Sequence, residues 1–143
     1  MSLTDLTMEI AQEITIKAPA EDVFRSLLAR LGEENGSPDG KAMPMVLEAW
    51  PGGRWFRDLG GQAGHLWGFV QVIKPPTLLE FTGPMFMSYA AVNHVQFRLT
   101  HADGETKLAF RHRAMGMIEA AHRTGATAGW GYMLTRIKER AEG

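Results

Sequence analysis

From Met8 to Ala18 the chain alternates with period two. Met8, Ile10, Gln12, Ile14 and Ile16 share one face, and Glu9, Glu13, Thr15 and Lys17 share the other. An apolar face backed by a charged one is the pattern of an antiparallel strand with one side in water. The period then changes. In A-P-A-E-D-V-F-R-S-L-L-A-R-L-G the apolar residues Val23, Phe24, Leu27, Leu28 and Leu31 form a helical stripe, Pro19 stands at the first turn, and Gly32 supplies the stop. Glu21 and Asp22 lie near the positive end of the helix dipole. The next segment, Glu33 to Lys41 (E-E-N-G-S-P-D-G-K), has the composition of a loop.

Met43 to Trp50 predicts a strand leading into the most informative stretch of the chain, W-P-G-G-R-W-F-R-D-L-G-G-Q-A-G-H-L-W-G-F-V-Q-V-I-K-P-P-T-L-L-E-F. It predicts three short strands, with Gly52-Gly53 and Gly60-Gly61 taking positive φ at tight turns and Pro75-Pro76 stopping the last strand from being extended. Leu78 to Thr82 is a strand with Leu79 and Phe81 on one face. Tyr89 to Thr100 places Asn93, Val95, Phe97 and Leu99 on one side, and Ala102-Asp103-Gly104 makes a hairpin. Glu105 to Arg113 returns with Leu108, Phe110 and His112 on the same side. Ile118 to Ala141 then has helical spacing, with Thr127, Trp130, Leu134 and Ile137 on the packed face. Gly125, Gly129 and Gly131 each weaken that helix by up to about 1 kcal/mol relative to alanine, so packing must hold it. The order is strand, helix, about six strands, long helix. This is an α+β arrangement: a curved antiparallel sheet wrapped around the long C-terminal helix, with a short helix after the first strand.

A chain of 143 residues with this apolar content is expected to make a single domain over residues 1–143. Its net charge of −1, from 15 basic and 16 acidic residues spread along the sequence, leaves no electrostatic footprint for nucleic acid. The absence of cysteine excludes disulfides and thiolate chemistry. M-S-L-T-D-L-T-M-E-I lacks the basic and apolar regions of a signal peptide, and no apolar run reaches the length of a membrane span. A cytoplasmic, soluble protein is expected.

Four pieces carry a family resemblance: I-T-I-K-A-P-A-E-D-V-F, P-G-G-R-W-F-R-D-L-G-G, H-L-W-G-F-V-Q-V-I-K-P-P-T-L-L-E-F and G-W-G-Y-M-L-T-R-I. In this order they resemble the helix-grip fold of the SRPBCC superfamily, which includes the START and birch-pollen-allergen-like domains. The branch they resemble most is that of the activator of heat-shock-protein-90 ATPase. The resemblance implies an apolar cavity between sheet and long helix that holds hydrophobic small molecules. Superfamily members include cyclases, carriers and a chaperone activator. The activator has a separate chaperone-binding domain with no room here, so co-chaperone activity is not the expectation.

Candidate chemistry is sparse. His65, His94, His101, His112 and His122 form no close ligand pair, so no metal is expected, and the glycine-rich pieces do not follow the dinucleotide pattern, so no cofactor is expected. No nucleophile elbow or paired carboxylate is present, so no catalytic residue is assigned. His94 and His101 fall on or beside the wet face. His112 has the parity of Leu108 and Phe110; it would act on a ligand as acid or base, or sit as a satisfied core histidine. Asn93 and Gln12 raise the same choice between a ligand's polar handle and a structural network. Met85, Phe86 and Met87, with Met115 and Met117, suit either a pocket mouth or a protein-contact patch.

The leading expectation is a hydrophobic-ligand-binding protein without covalent chemistry. Its pocket would be lined by Trp55, Val70, Phe81, Asn93, Val95, Phe97, Phe110, His112, Trp130 and Leu134. The alternatives are a polyketide-cyclase-like enzyme using His112 or Asn93, and an interaction module or co-chaperone acting through its surface. Homodimerisation through exposed sheet or Met-rich edges is a further expectation.

Overall fold

A computed structural model describes residues 2–143. After one 3-10 turn (Leu3–Leu6), the elements are β1 (Thr7–Ile16), α1 (Ala20–Leu31), β2 (Val46–Leu47), β3 (Arg54–Gly60), β4 (Ala63–Lys74), β5 (Leu78–Gly83), β6 (Ala91–Ala102), β7 (Glu105–Gly116) and α2 (Ala120–Glu142). The strands form one antiparallel sheet in the order β1-β7-β6-β5-β4-β3-β2. The sequence-predicted α+β helix-grip arrangement is the observed one: the sheet curves around α2, and α1 packs beside it.

Alternation sets the two faces. Val95, Phe97 and Leu99 of β6 and Leu108, Phe110 and His112 of β7 turn inward and are buried. Arg111 and Arg113 turn outward, where Arg113 Nε donates to Glu9. Register shifts at Trp55/Phe56, Asp58/Gly60 and Val70/Val72 add local twist to β3 and β4. On α2, Ala126, Trp130, Met133, Leu134 and Ile137 are buried, the spacing of a helical stripe seated on the sheet.

Buried polar groups tie the layers together. Ser26 Oγ–H donates to the Ile137 carbonyl (2.7 Å), joining α1 to α2. Trp55 Nε1–H donates to the Leu31 carbonyl (2.8 Å), occupying an acceptor at the C-terminal end of α1. Thr106 Oγ1–H donates to the Ala18 carbonyl (2.7 Å).

Three local expectations are corrected. The strand from Met43 to Trp50 shrinks to Val46–Leu47, because the chain turns at 48–53 to clasp β3: Glu48 accepts from the Arg54 backbone N–H, Nε–H and a terminal N–H. Gly53 lacks positive φ; a Cβ there would stand 1.9 Å from the Glu48 carbonyl oxygen, so close approach of backbone requires glycine. Thr127 is exposed, although placed on the packed face of the helix; its carbonyl receives Gln12 Nε2–H at 2.9 Å.

Candidate functional site

The first half of α2 does not close tightly over the sheet. Between it and the segment after α1 runs a groove of about 420 Å³, with a strongly apolar lining. Trp55 of β3, Trp67 of β4 and Phe86 of the β5–β6 connection form one wall. Their rings make a continuous edge-to-face series, with centroids 5.1 Å apart for Trp55–Trp67 and 5.8 Å for Trp67–Phe86. Phe81 stacks on Trp55 from behind at 4.7 Å, which fixes that wall. The helix wall carries Ala121, Gly125, Ala126 and Gly129, then Trp130, Tyr132 and Met133. Asn35, Gly36, Pro38 and Met43 close the third side. Ideal Cβ atoms on Gly125 or Gly129 would meet nothing within 4 Å, so at these two positions the helix leaves open space beside the groove.

One imidazole sits on the wall. Glu119 N–H donates to the Tyr89 hydroxyl (3.2 Å), which shares a hydrogen bond with His122 Nδ1 (2.8 Å). Phe86 packs edge-on against the His122 ring at 5.0 Å.

Behind the groove lies a second polar arrangement. Trp130 Nε1–H donates to His112 Nδ1 (3.0 Å), and His112 Nε2–H donates to Asn93 Oδ1 (2.6 Å). Asn93 Nδ2 donates to the carbonyls of Gly83 and Pro84 (3.1 Å each). Each donor finds an acceptor, and both ring nitrogens of His112 are used. The ring is 0% exposed, and burial pushes its pKa down to about 4. A second ring proton would point at the Trp130 N–H, so this imidazole stays neutral at physiological pH.

The ten residues singled out from sequence therefore occupy three settings. Trp55 and Trp130 border the groove. Asn93 and His112 belong to the polar chain just described. Val70, Phe81, Val95, Phe97, Phe110 and Leu134 lie in the packed core behind it. Met85 and Met87 are buried while Met115 and Met117 are exposed, so the methionines do not form one patch. His94 is bonded to Glu80 at 3.1 Å rather than simply solvated. Sequence reasoning missed Asn35, His122 and Tyr132 as groove residues. It read Gly125 and Gly129 only as helix weakeners, although unfilled glycines at four-residue spacing are the trace a groove leaves in a helix.

A curved sheet gripping a long helix, with an apolar groove at their junction, defines the SRPBCC class of helix-grip proteins. Within it, residues 17–142 match the family model described as activator of Hsp90 ATPase homolog 1-like protein, and the chain belongs to that family. No curated protein sequence matches the chain. Solved structures show the same fold at low identity. An uncharacterised protein from Rhizobium leguminosarum is 18% identical with a TM-score of 0.74, over 95% of each chain. The Aha1 of Colwellia psychrerythraea, solved in solution as a dimer, is 18% identical with a TM-score of 0.67, covering 94% of this chain and 96% of that one. The ARO/CYC di-domain protein BexL of the BE-7585A biosynthetic pathway is 18% identical with a TM-score of 0.69, and the match covers 97% of this chain and 51% of BexL. Among the described residues no helix is long and apolar enough to cross a membrane.

Proposed function

We propose that this protein binds an apolar small molecule in the groove between the first half of α2 and the Trp55–Trp67–Phe86 wall. The observation that carries the reading is open space opposite an aromatic wall: about 420 Å³ of apolar space lies beside two helix glycines whose side-chain directions are empty. That volume lies within the range of small-molecule sites, roughly 300–1,000 Å³. Glycine is a poor helix former, so two of them where nothing crowds the helix cost stability that alanine would restore. Space for a ligand is a reason to keep them.

Binding is favoured over acid–base chemistry at His112, the residue a cyclase-like mechanism would use. Its nitrogens are both engaged and its ring is shut away from the groove by Trp130. The test is Gly125→Leu with Gly129→Leu, which grows two side chains into the groove. Uptake of the dye 1-anilinonaphthalene-8-sulfonate by the wild type should be lost in the double variant, while far-UV circular dichroism and the melting temperature hold or improve. Undiminished uptake by the folded variant would place the site elsewhere.

A further inference from the structure

Of the side chains that border the groove, none is Asp, Glu, Lys or Arg, and His122 is the one able to carry a positive charge. Its ring is half-buried, packed edge-on against Phe86 and stacked on Tyr89 (centroids 5.0 and 5.7 Å away). Nδ1 is engaged by the Tyr89 hydroxyl, while Nε2 makes no hydrogen bond within the chain. Nor is Nε2 shut away: the side-chain nitrogens and oxygens buried without a partner, among the described residues, are Arg30 Nε, Asn35 Oδ1 and Arg136 Nε. The imidazole therefore stands at the end of the aromatic wall with one nitrogen held and the other open.

His112 and His122 differ in what a second proton would meet. At His112 it would point at the Trp130 N–H. At His122 the Nδ1 partner is a hydroxyl, which donates to a neutral ring and accepts from a charged one, so Tyr89 serves both forms. The surroundings set no competing charge against the ring. Pro84 to Ala90 holds no charged residue, and the only two between Asn35 and Met43, Asp39 and Lys41, pair with each other at 3.9 Å. On α2, Arg123 is tied to the carbonyls of Thr7 and Asp5 (2.8 and 3.1 Å), and Glu119 is exposed one turn before His122. We infer that the groove takes an apolar, ring-bearing carboxylic acid, its rings on the Trp67–Phe86 wall and its carboxylate accepting from His122 Nε2–H. A carboxylate accepts only and carries charge, so it draws the imidazole into its charged form, and it meets no like charge among the lining residues. An amine would find no carboxylate there, and a hydrocarbon would leave Nε2 unanswered. The inference rests on the groove being the binding site, as proposed above.

The probes are 2-naphthoate and its uncharged isostere 2-naphthamide, titrated by calorimetry at neutral pH into wild type and His122→Gln. Wild type should bind 2-naphthoate about tenfold more tightly, the worth of one hydrogen bond between charged groups. His122→Gln, which cannot take up a proton, should lose that preference. Long-range 1H–15N spectra of wild type give a readout that needs no variant. The His122 ring should move toward the imidazolium pattern with 2-naphthoate and keep its pattern with 2-naphthamide. Equal affinities in wild type would overturn the carboxylate subsite and leave the groove standing. A preference that survives His122→Gln, or a His122 ring indifferent to bound 2-naphthoate, would overturn it too. Failure of both probes to bind wild type would overturn the groove and the subsite together.

Discussion

Two places in this molecule set a polar side chain among aromatic rings, and they are finished differently. At Asn93, His112 and Trp130 each donor meets an acceptor, and the series ends on two backbone carbonyls. At Asn35 the amide oxygen is equally buried and meets nothing, beside a groove that Gly125 and Gly129 also line. The first is a closed structural network that holds α2 on β6 and β7. The second is open in shape and in hydrogen bonding. An unpaired buried acceptor costs about 1–3 kcal/mol, so the two places differ in how much of their polar content the fold itself answers.

If the network is structural, breaking it must cost stability first. His112→Ala removes the ring and strands both Asn93 Oδ1 and Trp130 Nε1–H, and should cost about 4 kcal/mol in urea unfolding. A loss below about 1 kcal/mol would mean the network contributes little. The pH dependence sharpens the same point. His112 has a folded pKa of about 4, against about 6.5 in the unfolded chain, because of burial. Its contribution is complete above pH 6.5, falls as the unfolded chain takes up the proton, and levels off below pH 4. The loss over that window is about 3 kcal/mol, and His112→Gln should remove it from the stability–pH profile. The smallest effect belongs to the open region: Gly125→Ala and Gly129→Ala should each raise stability by up to about 1 kcal/mol, since nothing obstructs the new methyl groups. Destabilisation by either would show that α2 needs those glycines for its own packing.

The alternation of Met8–Ile16 and Asn93–Leu99, the Asp103-Gly104 turn and the 118–141 periodicity made the sheet and its helix readable from the sequence. These signals are local, and the structure follows them. Positions decided by contacts between distant segments were hidden. Gly53 answers to the Glu48 carbonyl, Thr127 is drawn outward while its carbonyl meets Gln12, and the strand after Met43 gives way to a clasp on Arg54. For the site, parity placed Asn93 and His112 inward, but only coordinates show that they answer each other. Asn35 looked like an ordinary loop residue because only the fold brings it to the groove it shares with α2, almost a hundred positions further along the chain.

The central claim is that the groove is a binding site. The four tryptophans offer a direct measurement: Trp55, Trp67 and Trp130 border the groove, while Trp50 is 58% exposed outside it. In a titration of 15N-labelled protein with 2-naphthol, the indole N–H resonances of the first three should shift saturably while that of Trp50 stays fixed. Shifts at Trp50 alone, or none at any indole, would contradict the account.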